Sequence, residues 1–237
     1  MFPSFVIPAF NEENRLLKTI HLVNVFLKAK YPNYEIVIVD DGSTDDTLSI
    51  AKKLAQKYPE IKVINYNENR GKGYAVKTGV LSSKGDFIFF MDADGSTPIE
   101  ELPKFLEKLE SGADVVIGSR HLKGSDREVE QPFFRRMFGR LANLLIQFVL
   151  LPGITDSQCG FKGFKRDVAL TLFREQEIYG WGFDFEILAL ARRYGFSIVE
   201  VPVRWLHAEG SRMRPFRSAF YTLQELIKVR LRLLMRA

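Results

Sequence analysis

Cysteine is almost absent. Cys159 stands alone among 237 residues, which excludes an intramolecular disulfide, and no CxxC pair is present to build a thiolate zinc site. Histidine is nearly as scarce: His21, His121 and His207 are far apart and share no ligand spacing. No apolar run is long enough to cross a bilayer, which takes about 20 residues. The longest, Leu144–Leu151, is broken by Gln147 and stopped by Pro152 and Gly153. Pro8, Asn11, Glu12 and Glu13 interrupt the N-terminal apolar stretch, so no secretory signal is read there. No G-x-G-x-x-G opens the first helix, which disfavours a dinucleotide-dependent dehydrogenase. A reducing compartment is expected.

What is present is globular in proportion, with 46% hydrophobic and 27% charged residues. The net charge of +5 is uneven. Residues 204–237 hold eight basic and two acidic side chains, so this end carries +6 and the body −1. A basic end suits nucleic acid, an anionic membrane or a phosphorylated ligand.

Over the first half, apolar runs alternate with helical stretches. Strands are expected at Ser4–Pro8, Glu35–Val39, Lys62–Asn65, Phe87–Met91 and Asp114–Ile117. Helices are expected near Glu12–Lys30, Thr44–Lys57, Gly73–Ser82 and Ile99–Ser111. Continuous runs such as IVIV and FIFFM mark strands buried on both faces, hence a mostly parallel sheet covered by helices. Further on, helices are expected at Phe134–Val149, Asp167–Phe173, Phe183–Tyr194 and Phe216–Met235, and a strand at Ser197–Val203. The chain divides into an α/β domain over 1–210 and a basic helix over 211–237.

Ligands of such sheets collect at the carboxyl ends of strands. Four motifs fall there: Pro8-Ala9-Phe10-Asn11-Glu12, Asp40-Asp41-Gly42-Ser43-Thr44-Asp45, Asn69-Arg70-Gly71-Lys72-Gly73 and Asp92-Ala93-Asp94-Gly95. Singly, each reads as a turn, a helix cap or a solvated charge. Together they describe one polar rim. Asp92 and Asp94, two residues apart, point the same way from a pleated strand and suit a hard cation, Mg²⁺ or Mn²⁺.

This constellation resembles glycosyltransferase family 2, inverting nucleotide-sugar transferases with a GT-A, Rossmann-like fold. The resemblance implies that Pro8, Ala9, Phe10, Glu12 and Asp41 cradle the nucleoside, with Asp41 reading the base. It sets Lys72, Asp92 and Ala93 near the nucleotide sugar, and Asp94 with Asp92 on the metal. Phe10 stands where related enzymes often carry Tyr. Later strings, Gly118-Ser119-Arg120, Phe134-Arg135-Arg136, DSQCGFK, GWGFDFE and EGSR, look like the polyprenyl-phosphate sugar transferases, in particular their dolichyl-phosphate β-glucosyltransferase branch.

That branch implies UDP-glucose as donor and a polyprenyl phosphate as acceptor. Arg120 and Arg135 are expected to clamp the acceptor phosphate, since guanidinium groups bind phosphate oxygens in pairs. Asp156 is expected to be a catalytic carboxylate facing the acceptor, and Ser211 and Arg212 to offset charge on the departing diphosphate. Arg120, Arg135 and Arg136 could equally pair with Asp126, Glu128 and Glu130 on the surface. Asp184 and Glu186 cannot share one helical face, so only one can line a sugar pocket. Other readings are GDP-mannose as donor, a glycan acceptor, or an adaptor protein with an idle nucleotide pocket.

In the terminal helix, Phe216, Phe220, Leu223, Ile227, Leu231 and Leu234 form a stripe roughly 80° wide. Arg217, Lys228, Arg232 and Arg236 gather on another side. Such a helix either packs on the domain or lies on an anionic bilayer. The expected location is cytoplasmic, peripheral on that face of the membrane, with no nucleic acid partner: the aromatics sit on the apolar stripe and not between the basic residues as stacking platforms.

Overall fold

A computed structural model describes residues 1–127, 142–206 and 215–235. Its strands are β1 (Pro3–Ala9), β2 (Glu35–Asp40), β3 (Ile61–Asn65), β4 (Phe87–Met91), β5 (Val115–Ser119), β6 (Asp126–Arg127), β7 (Phe161–Lys165), β8 (Ile198–Pro202) and β9 (Arg204–Trp205). The helices are α1 (Leu16–Lys30), α2 (Thr47–Lys57), α3 (Lys72–Ser82), α4 (Leu102–Glu110), α5 (described over residues 142–149), α6 (Arg166–Glu175), α7 (Phe183–Arg193) and α8 (Pro215–Met235). The rest of the helix expected from Phe134 lies outside the described residues. So does the boundary expected at residue 210.

Seven strands form one sheet in the order β3-β2-β1-β4-β7-β5-β8, and β6 pairs with β9 apart from it. Side chains alternate across each strand. Phe5 and Ile7 therefore join Phe89 and Met91 under α1, α2 and α4, while Val6 joins Ile88 and Phe90 under α3, α6 and α7. With both faces covered, the strands read as unbroken apolar runs. The chain runs from β1 outward to β3, then returns through α3 to β4 on the other side of β1. Strand order reverses there, and the carboxyl ends beside such a reversal are where open sheets of this kind form their ligand crevice.

Three strands were not anticipated: the two-residue β6 and β9, and β7 within the main sheet. Phe161–Lys165 runs antiparallel between β4 and β5, with Met91 opposite Phe161 and Ile117 opposite Lys162. Phe161 stacks with Phe5 and Phe89 at 6.4 and 6.3 Å between ring centres. Two lysines in five residues hide this strand in the sequence. Helix starts also differ: α1 begins at Leu16, not Glu12, and α2 at Thr47, not Thr44. The intervening polar groups bond across loops instead of along a helix.

Candidate active site

The parallel register sets the ends of the first three strands side by side, Ala9 opposite Asp40 and Asp40 opposite Asn65. Their loops are stitched together. Asn11, at φ 56°, donates its backbone N–H to Ser43 Oγ at 3.0 Å and accepts Thr44 N–H on Oδ1 at 2.8 Å. The Glu12 N–H reaches Thr47 Oγ1 at 2.7 Å. Pro8 and Ala9 thus end a buried strand, and Phe10 leaves its ring exposed at the rim.

Asp41 organises the next loop. Its Oδ1 accepts Arg70 N–H at 2.8 Å; Oδ2 accepts Gly71 N–H at 3.0 Å and Asn69 Nδ2 at 2.9 Å. Burial pushes this carboxyl above its usual range against those donors. The Arg70 guanidinium lies over Tyr66 and Tyr74, 5.5 and 5.0 Å from the ring centres.

That loop delivers Lys72, the first residue of α3, to Asp92 at the end of β4. The Lys72 ammonium is 2.5 Å from Asp92 Oδ1 and 5.2 Å from the centre of the Trp181 ring. Burial alone would lower the lysine pKa, but Asp92 and Asp184 outweigh it and hold the amine above its ordinary value. Asp41 and Asp92 therefore communicate through three consecutive residues, Arg70 to Lys72. Behind Asp92, only glycine fits at 160: a Cβ there would lie 2.0 Å from Asp92 Oδ2.

Asp94 accepts Ser96 N–H on Oδ1 at 2.9 Å and forms no ion pair among the described residues. Ala93 between the two aspartates is buried. Glu12 belongs to the same field. Burial raises its pKa, Arg15 opposes this with two bonds of 2.7 Å, and Asp94 and Asp92 add repulsion. These oxygens suit a hard divalent cation. Asp92 Oδ1 is buried and takes no directed hydrogen bond, only the ammonium contact. Among the described residues no three His, Cys, Asp or Glu side chains form a cage. The donor set thus fits an ion that keeps one or two carboxylates and takes its other ligands from phosphate and water.

Beyond β7 from Asp92, Arg120 follows β5. Its Nε and Nη2 donate to Asp156 Oδ2 and Oδ1 at 2.8 and 2.9 Å, and its backbone N–H adds a bond of 2.9 Å to Oδ2. Asp156 is 2% exposed. Burial opposes its charge, yet the guanidinium wins and holds the carboxyl below its usual range. Glu200 of β8 braces this corner, accepting Thr155 N–H at 2.8 Å and Asp156 N–H at 3.0 Å. The sequence reading kept Arg120 and Asp156 in separate roles; the structure makes them one ion pair. Arg135, Ser211 and Arg212 lie outside the described residues.

Sequence reasoning missed Lys162. It is 0% exposed, donates to Cys159 O at 2.6 Å and pairs with Asp184. Burial pushes the Asp184 carboxyl up, against Lys162 and Lys72. Asp184 is thus the member of its pair turned toward Asp92 and Lys72. Glu186 faces away, accepting the N–H groups of Glu177 and Ile178 at 3.0 and 2.8 Å and pairing with Arg232 of α8.

Residues 4–173 match the model of glycosyl transferase family 2. The chain belongs to that family. A dolichyl-phosphate beta-glucosyltransferase of Dictyostelium discoideum is 36% identical over 249 residues, covering 99% of this chain and 76% of that protein. The human protein of the same name is 35% identical over 244 residues, covering 98% and 75%. Among solved structures, glucosyl-3-phosphoglycerate synthase from Mycobacterium tuberculosis, in complex with Mn²⁺, UDP and glucosyl-3-phosphoglycerate, superposes with a TM-score of 0.72. It is 20% identical, with 96% of this chain and 79% of that one covered. The fold is the GT-A fold of that neighbour.

Proposed function

We propose that this hexosyltransferase moves glucose from UDP-glucose to a polyprenyl phosphate of the dolichyl type, with inversion at the anomeric carbon. The observation that carries the reading is the near full-length similarity to the Dictyostelium and human dolichyl-phosphate beta-glucosyltransferases. The crevice supports it chemically, since Lys72 with Asp92 and Asp94 faces Arg120 with Asp156.

In this reading Pro8, Ala9, Phe10, Glu12 and Asp41 hold the nucleoside, and Lys72 meets the diphosphate. Asp94, with Asp92, would hold Mg²⁺ or Mn²⁺, which when bound neutralises charge on the leaving diphosphate. Ser211 and Arg212 add to that neutralisation, and Arg120 and Arg135 grip the acceptor phosphate. An acceptor oxygen bonds to the sugar C1 from the face opposite the diphosphate. The C1–O bond breaks, and its electron pair leaves on UDP. The acceptor is already an anion near neutral pH, so no proton has to be removed. Asp156, held ionised by Arg120, is therefore a positioning residue that fixes the guanidinium fork, and positioning with electrostatics supplies the catalysis.

The acceptor's lipid chain calls for a surface that meets a membrane. No helix among the described residues is long and apolar enough to cross one. In α8, Leu226 and Val229 are buried against the domain, while Leu223, Ile227, Leu231 and Leu234 face outward beside Lys228 and Arg230. Phe148 of α5 is 89% exposed. An outward apolar row beside cationic residues is what lies flat on an anionic bilayer. The test is transfer of radiolabelled sugar to dolichyl phosphate with a divalent cation present. Lipid-linked glucose from UDP-glucose is expected; label arriving only from GDP-mannose, or only on a glycan, overturns the proposal.

A further inference from the structure

The segment between α6 and α7, residues 176–182, has no regular secondary structure, yet it carries Trp181 against Lys72. It is held from two sides. On the inner side the start of α3 bonds to it: Gly73 N–H donates to Tyr179 O at 2.8 Å, and Gln176 Nε2 donates to Gly73 O at 2.9 Å. On the outer side stands α8. Glu225 Oε2 accepts Gly182 N–H at 2.8 Å. Its other oxygen fills the place of a side chain at 180, where a Cβ would lie 2.3 Å from Oε1. Arg232, two turns on, ties α8 to Glu186 and to Glu177. The glycines flanking Trp181 are thus the means by which a carboxylate approaches the turn.

We propose that Glu225 is a positioning residue of the donor site, through which α8 sets the Gly180-Trp181-Gly182 turn and so the contact of Trp181 and Lys72 with Asp92. Without the carboxylate the Gly182 N–H loses its acceptor and the space beside Gly180 empties. The turn then relaxes toward α8, and Trp181 draws off Lys72. A lysine that is no longer covered exchanges its fixed place on Asp92 for solvent. The inference rests on reading Lys72 and Asp92 as donor-site residues. Its consequence is directional: the helix that faces the lipid acceptor controls the affinity of the site for the other substrate.

The experiment has an arm that needs no substrate. In a Trp205→Phe background Trp181 is the one indole left. Its emission and acrylamide quenching are compared for Glu225, Glu225→Ala, Glu225→Asp and Glu225→Gln. Glu225→Ala and the shortened Glu225→Asp are expected to shift the emission and raise quenching about twofold. Glu225→Gln, which keeps an acceptor for the Gly182 N–H, stays close to the parent. In the Trp205 protein, Glu225→Ala raises the KM for UDP-glucose about tenfold, the order expected for losing one hydrogen bond to a charged acceptor. The acceptor KM stays within twofold, and Glu225→Gln recovers most of the loss. Melting temperatures taken alongside separate this from unfolding. Parent-like quenching and donor KM in Glu225→Ala overturn the proposal, as does a donor KM that follows melting temperature alone. If UDP-glucose proves not to be the donor, the quenching arm still decides for or against Glu225.

Discussion

Replacing Asp156 by Asn keeps the shape of the side chain and removes the charge that Arg120 is built around. Three donors converge on the carboxylate at 2.8 to 2.9 Å. Asp156 itself is almost fully buried, so solvent is a poor substitute for the carboxylate on that edge of the guanidinium. Breaking a buried pair from one side costs about 3–5 kcal/mol. The Arg120 side chain is 26% exposed and can rehydrate in part, which sets the expectation at the lower end, about 3 kcal/mol. In a domain of this size that is a fall in Tm of roughly 6–12 °C. Urea unfolding across a pH series gives the sharper assay. The folded pKa of Asp156 is depressed, so its stabilisation is complete above the unfolded value of about 3.9 and is lost as pH falls through the folded pKa. The gap between parent and Asp156→Asn should therefore be full at pH 7 and close in acid. A gap under about 1 kcal/mol at pH 7, or one unchanged at pH 3, refutes the argument. An Arg120→Met/Asp156→Leu double variant should return most of the stability, because both buried charges are gone.

Three further outcomes follow from the crevice and from α8. Asp94→Asn should abolish the Mn²⁺-dependent part of UDP binding, measured by thermal shift, and lower turnover at least about 100-fold; undiminished Mn²⁺ dependence removes Asp94 from the metal site. Gly160→Ala drives a methyl group into the Asp92 carboxylate, so it should cost about 1–3 kcal/mol and reduce transfer more than it reduces the folded fraction, both read on one preparation by denaturation and product assay. Ile227→Glu with Leu231→Glu, both on the outward row of α8, should leave the melting temperature unchanged while co-sedimentation with phosphatidylserine vesicles falls at least fivefold; equal sedimentation assigns that row to something other than a bilayer.

Much of this architecture is legible in the chain because strands covered on both faces must be apolar throughout. That is why β1, β2, β4 and β5 stand out as short runs between polar loops. The starts of α1 and α2 were not legible, because Asn11, Glu12 and Asp45 bond to partners in a neighbouring loop or helix start more than 30 residues away in sequence. β7 was missed for a related reason. Lys162 looks like a solvent residue until Asp184, 22 positions on, is known to neutralise it. The four strand-end motifs could be listed from sequence, but the joining of Arg120 to Asp156 spans 36 positions and needs the crossing of β7 between β4 and β5. In α8 the periodicity finds the row Leu223, Ile227, Leu231, Leu234. It cannot say which side meets the domain, a matter settled by Leu226 and Val229.

The three charge pairs near the crevice share a logic. Lys72 with Asp92, Arg120 with Asp156 and Lys162 with Asp184 each set a cation against a carboxylate with at least one partner largely withdrawn from water. Such pairs seldom add net stability, since desolvation consumes most of the attraction. Their concentration at one rim of the sheet calls for a different reason. In the proposed reaction both substrates bring phosphate, and a site of unpaired buried cations would be too costly to fold. A site of cations already neutralised can be built first and lend its charge when an anion arrives. Lys72 and Arg120 retain some exposure, at 16% and 26% of their side chains, and can make that exchange. Lys162 has none and cannot. Its pair with Asp184 instead fixes the carboxylate next to Lys72, so Lys72, the residue proposed to meet the donor, is bounded by Asp92 on one side and Asp184 on the other. Lys162→Met should then be read in the pKa and placement of Lys72, measured by NMR on ε-labelled lysine, before any change in turnover is assigned to chemistry.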